Sequence, residues 1–492
     1  MTAAGRAPGT AAAAGARAHP TMIRPSFHNT LERRAVHFHP LAEGRVGLYT
    51  CGPTVYNHVH IGNLRTFLFE DLLRRALGYL GYSVTQVMNL TDVDDKIIAG
   101  AEAAGLGLDE LTAPFIESFF RDLDTLHVER AEHYPRATDH VSEMIALVER
   151  LLERGHAYES DGSIFFRIAS DPDYGKLSRI DPSQVRRGER VAADEYDKED
   201  VRDFVLWKAA KSGEPSWESP WGPGRPGWHV ECSAMSMKYL GETFDLHTGG
   251  VDNVFPHHEN EIAQSESATG EPFVRCWLHA EHLLVDGQKM SKSLGNQFTL
   301  PELMERGADP RAVRYLFLSV HYRQKLNFTF ESLEAAGNAL ARIDEMRFRV
   351  ASAPESEDGA SRVAEPAERL LRDFAAALAD DLNVSKALAA LFHFVKEVNV
   401  AVEEGLAEGD RGRVAGALAD VDRVLGVLDP VEWRAPADSA GDAGEIEALV
   451  RRREEARAGK DWAEADRLRE ELGARGVVVE DTPQGPRWKR KG

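Results

Sequence analysis

The chain has 492 residues, of which 43% are hydrophobic and 28% are charged, a composition typical of a folded protein with more than one domain. Its formal net charge of −21 disfavours a general coat of positive charge, so contact with a polyanion must use local basic patches. No run of about 18 apolar residues occurs, which excludes a transmembrane helix. The only cysteines, Cys51, Cys232 and Cys276, are too few for a disulfide framework and indicate a reducing, cytoplasmic setting.

Residues 1–21 consist mostly of Ala, Gly, Arg and Pro and contain no acidic residue. They lack the continuous apolar stretch of a secretory signal, so we interpret them as a disordered extension, with Met22 as an alternative start. An acid-poor transit peptide of an organelle is the alternative that this composition leaves open.

The segment from about 45 to 110 alternates between strand and helix patterns. Residues 46–50 form a short apolar run typical of a buried strand, the apolar spacing over 64–80 predicts a helix, and 83–88 predicts the next strand. A strand, a helix and a strand of these lengths predict a parallel βαβ unit.

The pattern changes over residues 130–225. A helix is predicted near 142–154 and an alternating strand over 163–168, followed by a polar stretch with Pro, Gly and Trp. The α/β pattern resumes at Trp228 and continues to about 285. We therefore interpret 130–225 as an insertion.

After residue 300 the pattern is nearly all helical. Two stretches rich in Ala, Ser, Pro and acidic residues, 352–367 and 435–444, are predicted to be linkers. The chain ends in a predicted helix over 462–472, a strand over 477–480 and a basic segment over 487–491.

His60, Ile61, Gly62 and Asn63 lie just before the helix that starts at Leu64. Phosphates bind at this position in open α/β sheets, because backbone N–H groups and the helix dipole point at the anion. The histidine could add a donor, and the glycine would let a nucleotide base approach closely. For these four residues alone, a helix-capping turn with a surface histidine is the alternative.

A second candidate phosphate contact is the loop Lys289-Met290-Ser291-Lys292-Ser293, which is flanked by glycines. Two lysines on such a loop can close over a triphosphate and neutralise the charge that develops in phosphoryl chemistry. A solvated polar loop is the alternative, although the full five-residue string is rarely accidental.

Gly249, Gly250 and Asp252 follow a strand predicted over 243–247. A glycine pair followed by an acidic residue commonly admits a ribose and holds its hydroxyls. A tight turn capped by the aspartate is the alternative.

Residues of the metal-ligating types occur at three places. His257 and Glu261 are four residues apart, on one face of one predicted helical turn, and Cys51 and Cys232 each lie at the edge of an α/β element near the same end of the sheet. Two thiolates, one imidazole and one carboxylate are an acceptable ligand set for Zn²⁺. The alternative is two buried thiols beside an exposed polar helix. Cys276, in an apolar strand, is assigned to the core.

Together these segments resemble the cysteinyl-tRNA synthetases, a family of class I aminoacyl-tRNA synthetases, from about His28 to the C-terminus. Residues 60–63 resemble the class I HIGH signature, with Asn63 replacing its last histidine, and 289–293 form an intact KMSKS signature. Four further stretches resemble the cysteine-specific branch: 49–56, 89–96, 227–235 and 256–261.

The resemblance implies an α/β fold, namely a Rossmann-type class I catalytic domain with a connective insertion, a helical stem and anticodon-binding bundle, and a small C-terminal domain. The expected segments are the extension (1–21), the first half of the catalytic domain (22–129), the connective insertion (130–225), the second half with the zinc ligands (226–285), the stem-contact region with the KMSKS loop (286–335), the helical anticodon-binding domain (336–434) and the C-terminal tRNA-binding domain (445–492).

The resemblance also implies roles for individual residues. These are zinc binding by Cys51, Cys232, His257 and Glu261, catalysis by His60, Asn63, Lys289 and Lys292, nucleotide binding by His60, Gly62, Asn63, Gly249, Asp252 and Lys292, and contact with cysteine by Gly52, Thr91 and Trp228.

The implied reaction activates L-cysteine with ATP and Mg²⁺ as cysteinyl-adenylate and transfers it to tRNA(Cys), with neither a membrane nor DNA as a partner. Pocket shape alone separates cysteine from serine by only about 10²-fold, so we expect one Zn²⁺ per chain to bind the substrate sulfur. His229 or His258 is expected to donate to the charge of this site, and a packing role is the alternative.

Local basic patches must supply the contacts with tRNA. The candidates are the arginines at 451–453 and the segment 487–491, where Trp488 could stack on a base, and a frayed solvated tail is the alternative.

Two other functions remain open. The first is a cysteine:aminosugar ligase of mycothiol synthesis. Such ligases have a catalytic core similar to that of the synthetases but lack the C-terminal extension. A non-catalytic, synthetase-like RNA-binding protein is disfavoured because Lys289, Lys292 and all four ligand candidates are present.

Overall fold

The computed structural model describes residues 23–180, 200, 202–211, 213–291, 294–433, 442–474, 477–482 and 485–490. The expected extension over 1–21 and the candidate Lys292 lie outside these residues. Within them, no helix combines the length and the apolar character needed to cross a membrane.

The strands, in chain order, are β1 (Ser26–Asn29), β2 (Arg34–His37), β3 (Arg45–Thr50), β4 (Ser83–Met88), β5 (Ala157–Ser160), β6 (Ser163–Phe166), β7 (Phe204–Ala209), β8 (Gly224–Pro226), β9 (Phe244–Gly250), β10 (Val274–Ala280), β11 (Leu283–Val285), β12 (Gln288–Lys289), β13 (Leu326–Phe328), β14 (Val477–Thr482) and β15 (Gly485–Arg490).

The helices are α1 (Ile61–Tyr79), α2 (Asp95–Ala104), α3 (Leu108–Thr125), α4 (Val141–Glu153), α5 (Trp228–Leu240), α6 (Glu259–Thr269), α7 (Leu300–Glu305), α8 (Pro310–Ser319), α9 (Phe330–Ser352), α10 (Ala364–Ala379), α11 (Val384–Glu404), α12 (Asp410–Leu425), α13 (Asp442–Ala458) and α14 (Trp462–Ala474).

The central sheet is parallel and has the strand order β10-β9-β3-β4. Helix α1 connects β3 to β4, and α6 connects β9 to β10, so the two connections run outward from the middle of the sheet in opposite directions. This arrangement confirms the predicted parallel βαβ unit. It also opens a crevice at the carboxyl ends of β3 and β9, where ligands bind in open α/β sheets.

Apolar side chains cover both faces of this sheet. Leu48, Leu246 and Leu278 pack in one core cluster with the apolar face of α1, whereas Tyr49 and Trp277 pack in a second cluster with residues of α5 and α6. Each fully buried leucine contributes about 1.5–3 kcal/mol to folding, so the long apolar stripe of α1 fixes its position against the sheet.

The segment between β4 and β9 contains the antiparallel sheet β5-β6-β7-β8. Strand β6 is shorter than the predicted 163–168 strand, and all four of its residues are buried instead of alternating. The reason is that Phe165 packs with Tyr158 and Val205, while Ile164 and Phe166 join the larger core. Asp95 of α2 pairs with Lys208 of β7 and Arg225 of β8, at 2.7 and 3.0 Å, and so ties this sheet to the central domain.

A small sheet of order β12-β11-β13 leads into the helical part of the chain. Helices α9 to α12 share one apolar core with α1 and α8. At this junction the buried Arg314 of α8 donates to Asp71 of α1 at 2.6 Å and to the carbonyl of Leu425 of α12 at 2.8 Å. The catalytic and helical parts therefore pack on a common core.

Several elements differ from the sequence prediction. Strand β9 extends through Gly250, so the glycine pair belongs to the strand and does not follow it. Helix α13 starts at Asp442, inside the predicted linker 435–444, and β14 continues to Thr482 because β15 pairs with it. The basic end is thus a strand over Gly485–Arg490 and not a frayed tail.

Candidate functional site

His60 caps α1 with its own side chain. Its Nδ1 accepts hydrogen bonds from the backbone N–H groups of Gly62 and Asn63, at 3.1 and 3.3 Å, and the Asn63 side chain accepts from the His60 N–H. Two of the amides that we expected to face a phosphate are therefore occupied. Because Nδ1 is an acceptor, the neutral ring has its proton on Nε2, which is the donor that it can offer an anion.

The loop that starts at Lys289 reaches the start of α1. Lys289 ends β12 with an exposed side chain, and a Cβ atom at Gly62 would collide with Cε of Met290. Ser291 N–H donates to Asn296 Oδ1 at 2.9 Å, which fixes the path of the chain after Met290. The two predicted phosphate-binding segments are thus brought together, with Lys292 outside the described residues.

The glycine pair lies on the other side of the crevice. A Cβ atom at Gly249 would come within 2.8 Å of His258 Cε1, and one at Gly250 would collide with the Asp252 carboxylate. Asp252 is exposed in the short helical turn Val251–Asn253 after β9. Both glycines are therefore required by the close approach of these neighbours, and the exposed Asp252 carboxylate is the group that could accept hydrogen bonds from a ribose.

Four buried side chains form a possible metal-binding group. Ligand atoms of Cys51, His257, His258 and Glu261 all lie within 4.8 Å of one another. Cys51 follows β3, whereas the other three belong to the turn that opens α6, with His257 Nε2 3.0 Å from Glu261 Oε1. The predicted spacing of four residues thus does bring an imidazole and a carboxylate together.

The predicted ligand Cys232, on α5, contacts this group without belonging to it. The Cys51 thiol donates a hydrogen bond to Cys232, and this bond, helped by His257, lowers the pKa of Cys232 to about 6. The same pairing and burial raise the pKa of Cys51. Five residues therefore compete for the four positions of a tetrahedral site, and His258 is the one that the predicted set did not contain.

Glu261 is held as a carboxylate. Burial alone would raise its pKa, but His247 and His257 lower the pKa to about 2. His247 Nε2 lies 2.8 Å from Glu261 Oε2, and His257 Nε2 lies 3.0 Å from Oε1. A buried, anionic carboxylate held between two imidazoles, beside one low-pKa thiol, fits a divalent cation with affinity for sulfur.

A series of hydrogen-bonded histidines contacts the candidate metal-binding group at Cys51. His258 Nε2 is 3.3 Å from Cys51 Sγ, His258 Nδ1 is 2.8 Å from His279 Nε2, and His279 Nδ1 is 2.8 Å from Thr30 Oγ1. Burial lowers the pKa of both histidines, so both rings are neutral. If Thr30 donates first, each ring donates to the next, and the chain ends with an N–H directed at Cys51.

His229 reaches a different candidate ligand, because its Nδ1 lies 2.9 Å from His257 Nδ1. Both histidines predicted as supporting donors, His229 and His258, thus contact a candidate ligand. His247 and His279 were not foreseen. The signal that could have found them is their place near the carboxyl ends of two central strands, next to the crevice.

Two of the three predicted cysteine contacts, Gly52 and Thr91, belong to one hydrogen-bond network. Gly52 N–H donates to Asn89 Oδ1 at 2.9 Å, Asn89 Nδ2 donates to Thr91 Oγ1 at 3.1 Å, and Thr91 Oγ1 donates to Glu231 Oε2 at 3.0 Å. Any side chain at position 52 would collide with the Asn89 carbonyl, which explains the glycine. Burial raises the pKa of Glu231 well above its usual range.

Trp228 contacts the candidate metal ligands from the solvent side. Its ring stacks on His257 with centroids 4.2 Å apart, yet 43% of the residue is exposed. An aromatic ring that is fixed on a candidate ligand and open to solvent is suited to cover a small substrate.

Of the predicted basic patches, the first is smaller than expected. Arg451 and Arg452 are exposed, but Arg453 is buried and lies 3.2 Å from Glu454. In the second patch, the backbone of residues 487–490 pairs with β14, with Trp488 opposite Val479.

Three family models match the chain. The model for the catalytic domain of "tRNA synthetases class I (C)" matches residues 37–338, the DALR domain model matches 373–429, and the model for the "Cysteinyl-tRNA ligase anticodon binding domain" matches 441–488.

Curated proteins named "Cysteine--tRNA ligase" are similar over nearly the whole length. The protein of Solibacter usitatus is 48% identical over 465 residues, covering 94% of this chain and 99% of the relative. That of Chlamydia pneumoniae is 49% identical over 469 residues, covering 94% and 98%. That of Leptospira interrogans is 48% identical over 476 residues, covering 96% and 100%.

Solved structures share the fold at low identity. A methionyl-tRNA synthetase of Mycobacterium tuberculosis in complex with methionyl-adenylate superposes with a TM-score of 0.56 at 17% identity, covering 78% of this chain and 90% of that one. A LeuRS of Agrobacterium radiobacter, solved with tRNA and LeuAMS, gives 0.58 at 12% identity, covering 80% and 86%. The likeness confirms the expected class I synthetase fold.

Proposed function

The chain belongs to the cysteine–tRNA ligase family, and from this premise we propose that it attaches L-cysteine to tRNA(Cys) in an ATP-dependent reaction. The cysteine carboxylate attacks the α-phosphorus of ATP, which gives cysteinyl-adenylate and pyrophosphate. A terminal ribose hydroxyl of the tRNA then takes the cysteinyl group and releases AMP. The enzyme supplies no covalent nucleophile, so positioning and charge stabilisation account for the rate.

ATP lies across the crevice in this proposal. The adenosine lies between the start of α1 and the end of β9, and the exposed Asp252 carboxylate accepts hydrogen bonds from its ribose. His60 donates from Nε2 to the phosphates beside Asn63 at the positive end of α1. Lys289 and Lys292 neutralise the charge that accumulates on pyrophosphate as it leaves, with Mg²⁺ accompanying the nucleotide.

We assign the metal site to Cys51, Cys232, His257 and Glu261. When bound there, Zn²⁺ supplies a soft Lewis acid that prefers a thiolate to a hydroxyl. Cys232 is preferred to His258 as the fourth ligand because both ring nitrogens of His258 already contact Cys51 and His279. His258 and His229 then orient ligands from behind.

The remaining residues shape the pocket for the amino acid. Trp228 covers the candidate ligands from the solvent side, and the bonded series from Gly52 through Asn89 to Thr91 fixes the opposite wall. Discrimination against serine falls to the sulfur ligand, because shape alone separates such pairs by only about 10²-fold.

In this proposal the segments of the chain divide between catalysis and the binding of tRNA. Residues 22–129 and 226–285 form the catalytic domain, 130–225 the connective insertion, 286–335 the stem-contact region, 336–434 the helical anticodon-binding domain and 445–492 the C-terminal tRNA-binding domain. The match of 441–488 to an anticodon-binding model supports tRNA over an aminosugar as the acceptor. Three buried cysteines without a disulfide are consistent with a reducing, cytoplasmic setting.

The observation that most supports the proposal is that both phosphate-binding segments, the glycine pair and the candidate metal ligands lie around one crevice. The test is transfer of radiolabelled cysteine to total tRNA with ATP and zinc-replete protein. Acid-precipitable label that mild alkali releases is the expected result. Cysteine-dependent ATP–pyrophosphate exchange without label on tRNA would point to another acceptor, such as an aminosugar. The absence of both activities would contradict the proposal.

A further inference from the structure

The loop between β3 and α1 holds one exposed aromatic ring at a fixed position. Val55 and Val59 are buried, Val55 N–H donates to the Thr91 carbonyl at 3.0 Å, and His58 Nδ1 lies 2.8 Å from Ser118 Oγ of α3. Between these anchors Tyr56 is 38% exposed. Within the described part of the chain its ring joins no aromatic cluster, so the core does not explain its presence.

A cation accompanies this ring. Lys96, exposed in the first turn of α2, places Nζ 4.9 Å from the ring centroid of Tyr56 and 3.5 Å from its hydroxyl. Asp95, the neighbour of Lys96, is already paired with two cations of the antiparallel sheet and holds this end of α2 in place. The pair therefore presents an aromatic surface and a positive charge from two anchored elements.

The strand order places this pair opposite the nucleotide site. The candidate ATP contacts belong to the start of α1 and to β9, whereas Tyr56 follows Thr54, which bridges to Thr91 after β4, and Lys96 lies on the next helix. Strands β9 and β4 flank β3 on opposite sides. With ATP on the β9 side and the proposed cysteine pocket above β3 and the end of β4, the acceptor that takes the cysteinyl group approaches past this pocket on the β4 side, where Tyr56 and Lys96 lie.

We propose that Tyr56 and Lys96 bind the single-stranded 3′ end of the tRNA, with the terminal base stacked on the Tyr56 ring and the adjoining phosphate at the Lys96 ammonium. Aromatic rings that stack unpaired bases beside basic side chains are the common means of holding single-stranded RNA. The subsite rests on the proposed function, because it serves only the transfer step.

The test separates the two steps of the reaction. Tyr56→Ala is expected to raise the KM for tRNA roughly tenfold, the effect of losing one stacked base, while cysteine-dependent ATP–pyrophosphate exchange stays within about twofold of wild type. Tyr56→Phe keeps the ring and should restore the KM. Lys96→Met should also raise the KM for tRNA. Leu106→Ala, which changes a side chain 44% exposed just after α2, is the matched control and should change neither step.

A second measurement identifies the contact itself. Wild-type protein should bind tRNA with the terminal adenosine roughly tenfold more tightly than tRNA lacking it, and Tyr56→Ala should abolish this difference. The inference is wrong if Tyr56→Ala keeps the preference for the terminal adenosine, or if it impairs exchange as much as transfer, which would place Tyr56 in the substrate pocket. Failure of the wild-type protein to charge tRNA at all would instead contradict the proposed function.

Discussion

Individual residues set the chemistry of the candidate metal site through burial and close charge. Glu261 is fully buried, yet two histidines hold its pKa at about 2. The Cys51 thiol lowers the pKa of Cys232 to about 6. Each carboxylate or thiolate that is ionised before the cation arrives removes one proton from the binding equilibrium. His257 must still release a proton before it can bind the cation. Burial lowers the pKa of His257, but Glu261 and Cys232 outweigh burial and raise this pKa to about 10.

The choice between Cys232 and His258 as the fourth ligand is testable by metal content. Cys232→Ser should lower zinc from one per chain to well below half, because a hydroxyl replaces a thiolate ligand. His258→Ala removes a supporting contact and should retain one zinc with about 10–100-fold weaker affinity. Elemental analysis after dialysis against graded chelator measures both. Complete loss of zinc from His258→Ala, while Cys232→Ser keeps one zinc per chain, would make His258 the fourth ligand.

The contact of Gly62 with Met290 makes a second prediction. Gly62→Ala should turn the flexible end of Met290 aside and press on the His60 ring, since the new Cβ would collide with Met290 Cε and come within 3.0 Å of His60 Nδ1. We expect ATP–pyrophosphate exchange to fall by roughly 10–100-fold with little change in Tm, because a misplacement of about 1 Å is sufficient for such a loss. Shortening the second side chain in Gly62→Ala/Met290→Ala should recover part of the activity. No recovery would show that the alanine acts through the His60 ring or on the nucleotide, and not through Met290.

At the scale of elements, α3 contains a buried acid without an evident role in the reaction. Burial raises the pKa of Asp122 to about 7, and its Oδ2 has no hydrogen-bond partner among the described residues. When the pKa of a carboxyl is higher in the folded than in the unfolded protein, the protein loses stability as the pH rises from the unfolded pKa, about 3.9, to the folded pKa, about 7. Above pH 7 this loss of stability persists.

Asp122→Asn should therefore stabilise the protein at pH 8 by about 1–3 kcal/mol, the range for a buried polar group left unsatisfied. The gain should shrink at pH 5, where Asp122 is already protonated in the folded state. Thermal unfolding of both proteins at the two pH values measures the difference. A gain that is the same at pH 5 and pH 8 would show that ionisation is not its cause.

The elements differ in how well the sequence predicted them. The run 46–50, the stripe over 64–80 and the strand at 83–88 were found because each has a strong periodicity, and β4 begins and ends where predicted. The β1–β2 hairpin was missed because its four-residue strands contain charged and polar residues such as Arg34 and His37. Strand β9 was ended too early because Gly249 and Gly250 look like a turn, although parallel pairing with β10 continues through both.

The candidate site was predicted in its residue types more than in its contacts. Spacing of four residues identified His257 and Glu261, but the capping of α1 by His60 Nδ1 depends on a ring rotation that no sequence pattern encodes. Likewise, His279 joins the histidine chain only because β10 lies beside β9. Lys292, assigned by its signature, remains a prediction.

For the whole molecule, the distribution of apolar cores decides which parts depend on one another. The catalytic domain and helices α9 to α12 share one core, and the buried pair of Arg314 and Asp71 lies at their junction. Breaking such a pair by removing one partner costs about 3–5 kcal/mol, so these parts should unfold together. The last helices and the β14–β15 hairpin instead pack around six buried residues of their own: Ile446, Leu449, Val450, Leu468, Leu472 and Val477.

Deleting residues 441–492 should therefore leave the remaining chain folded, because no buried residue of the larger core is removed. Cysteine-dependent ATP–pyrophosphate exchange should stay near wild type, while the KM for tRNA rises at least tenfold as the exposed Arg451 and Arg452 and the basic strand β15 are lost. Lower ionic strength should recover part of the loss, since the remaining phosphate contacts strengthen as salt falls. An equal drop in both steps, together with a lower Tm, would mean that the C-terminal part stabilises the catalytic core instead of binding tRNA.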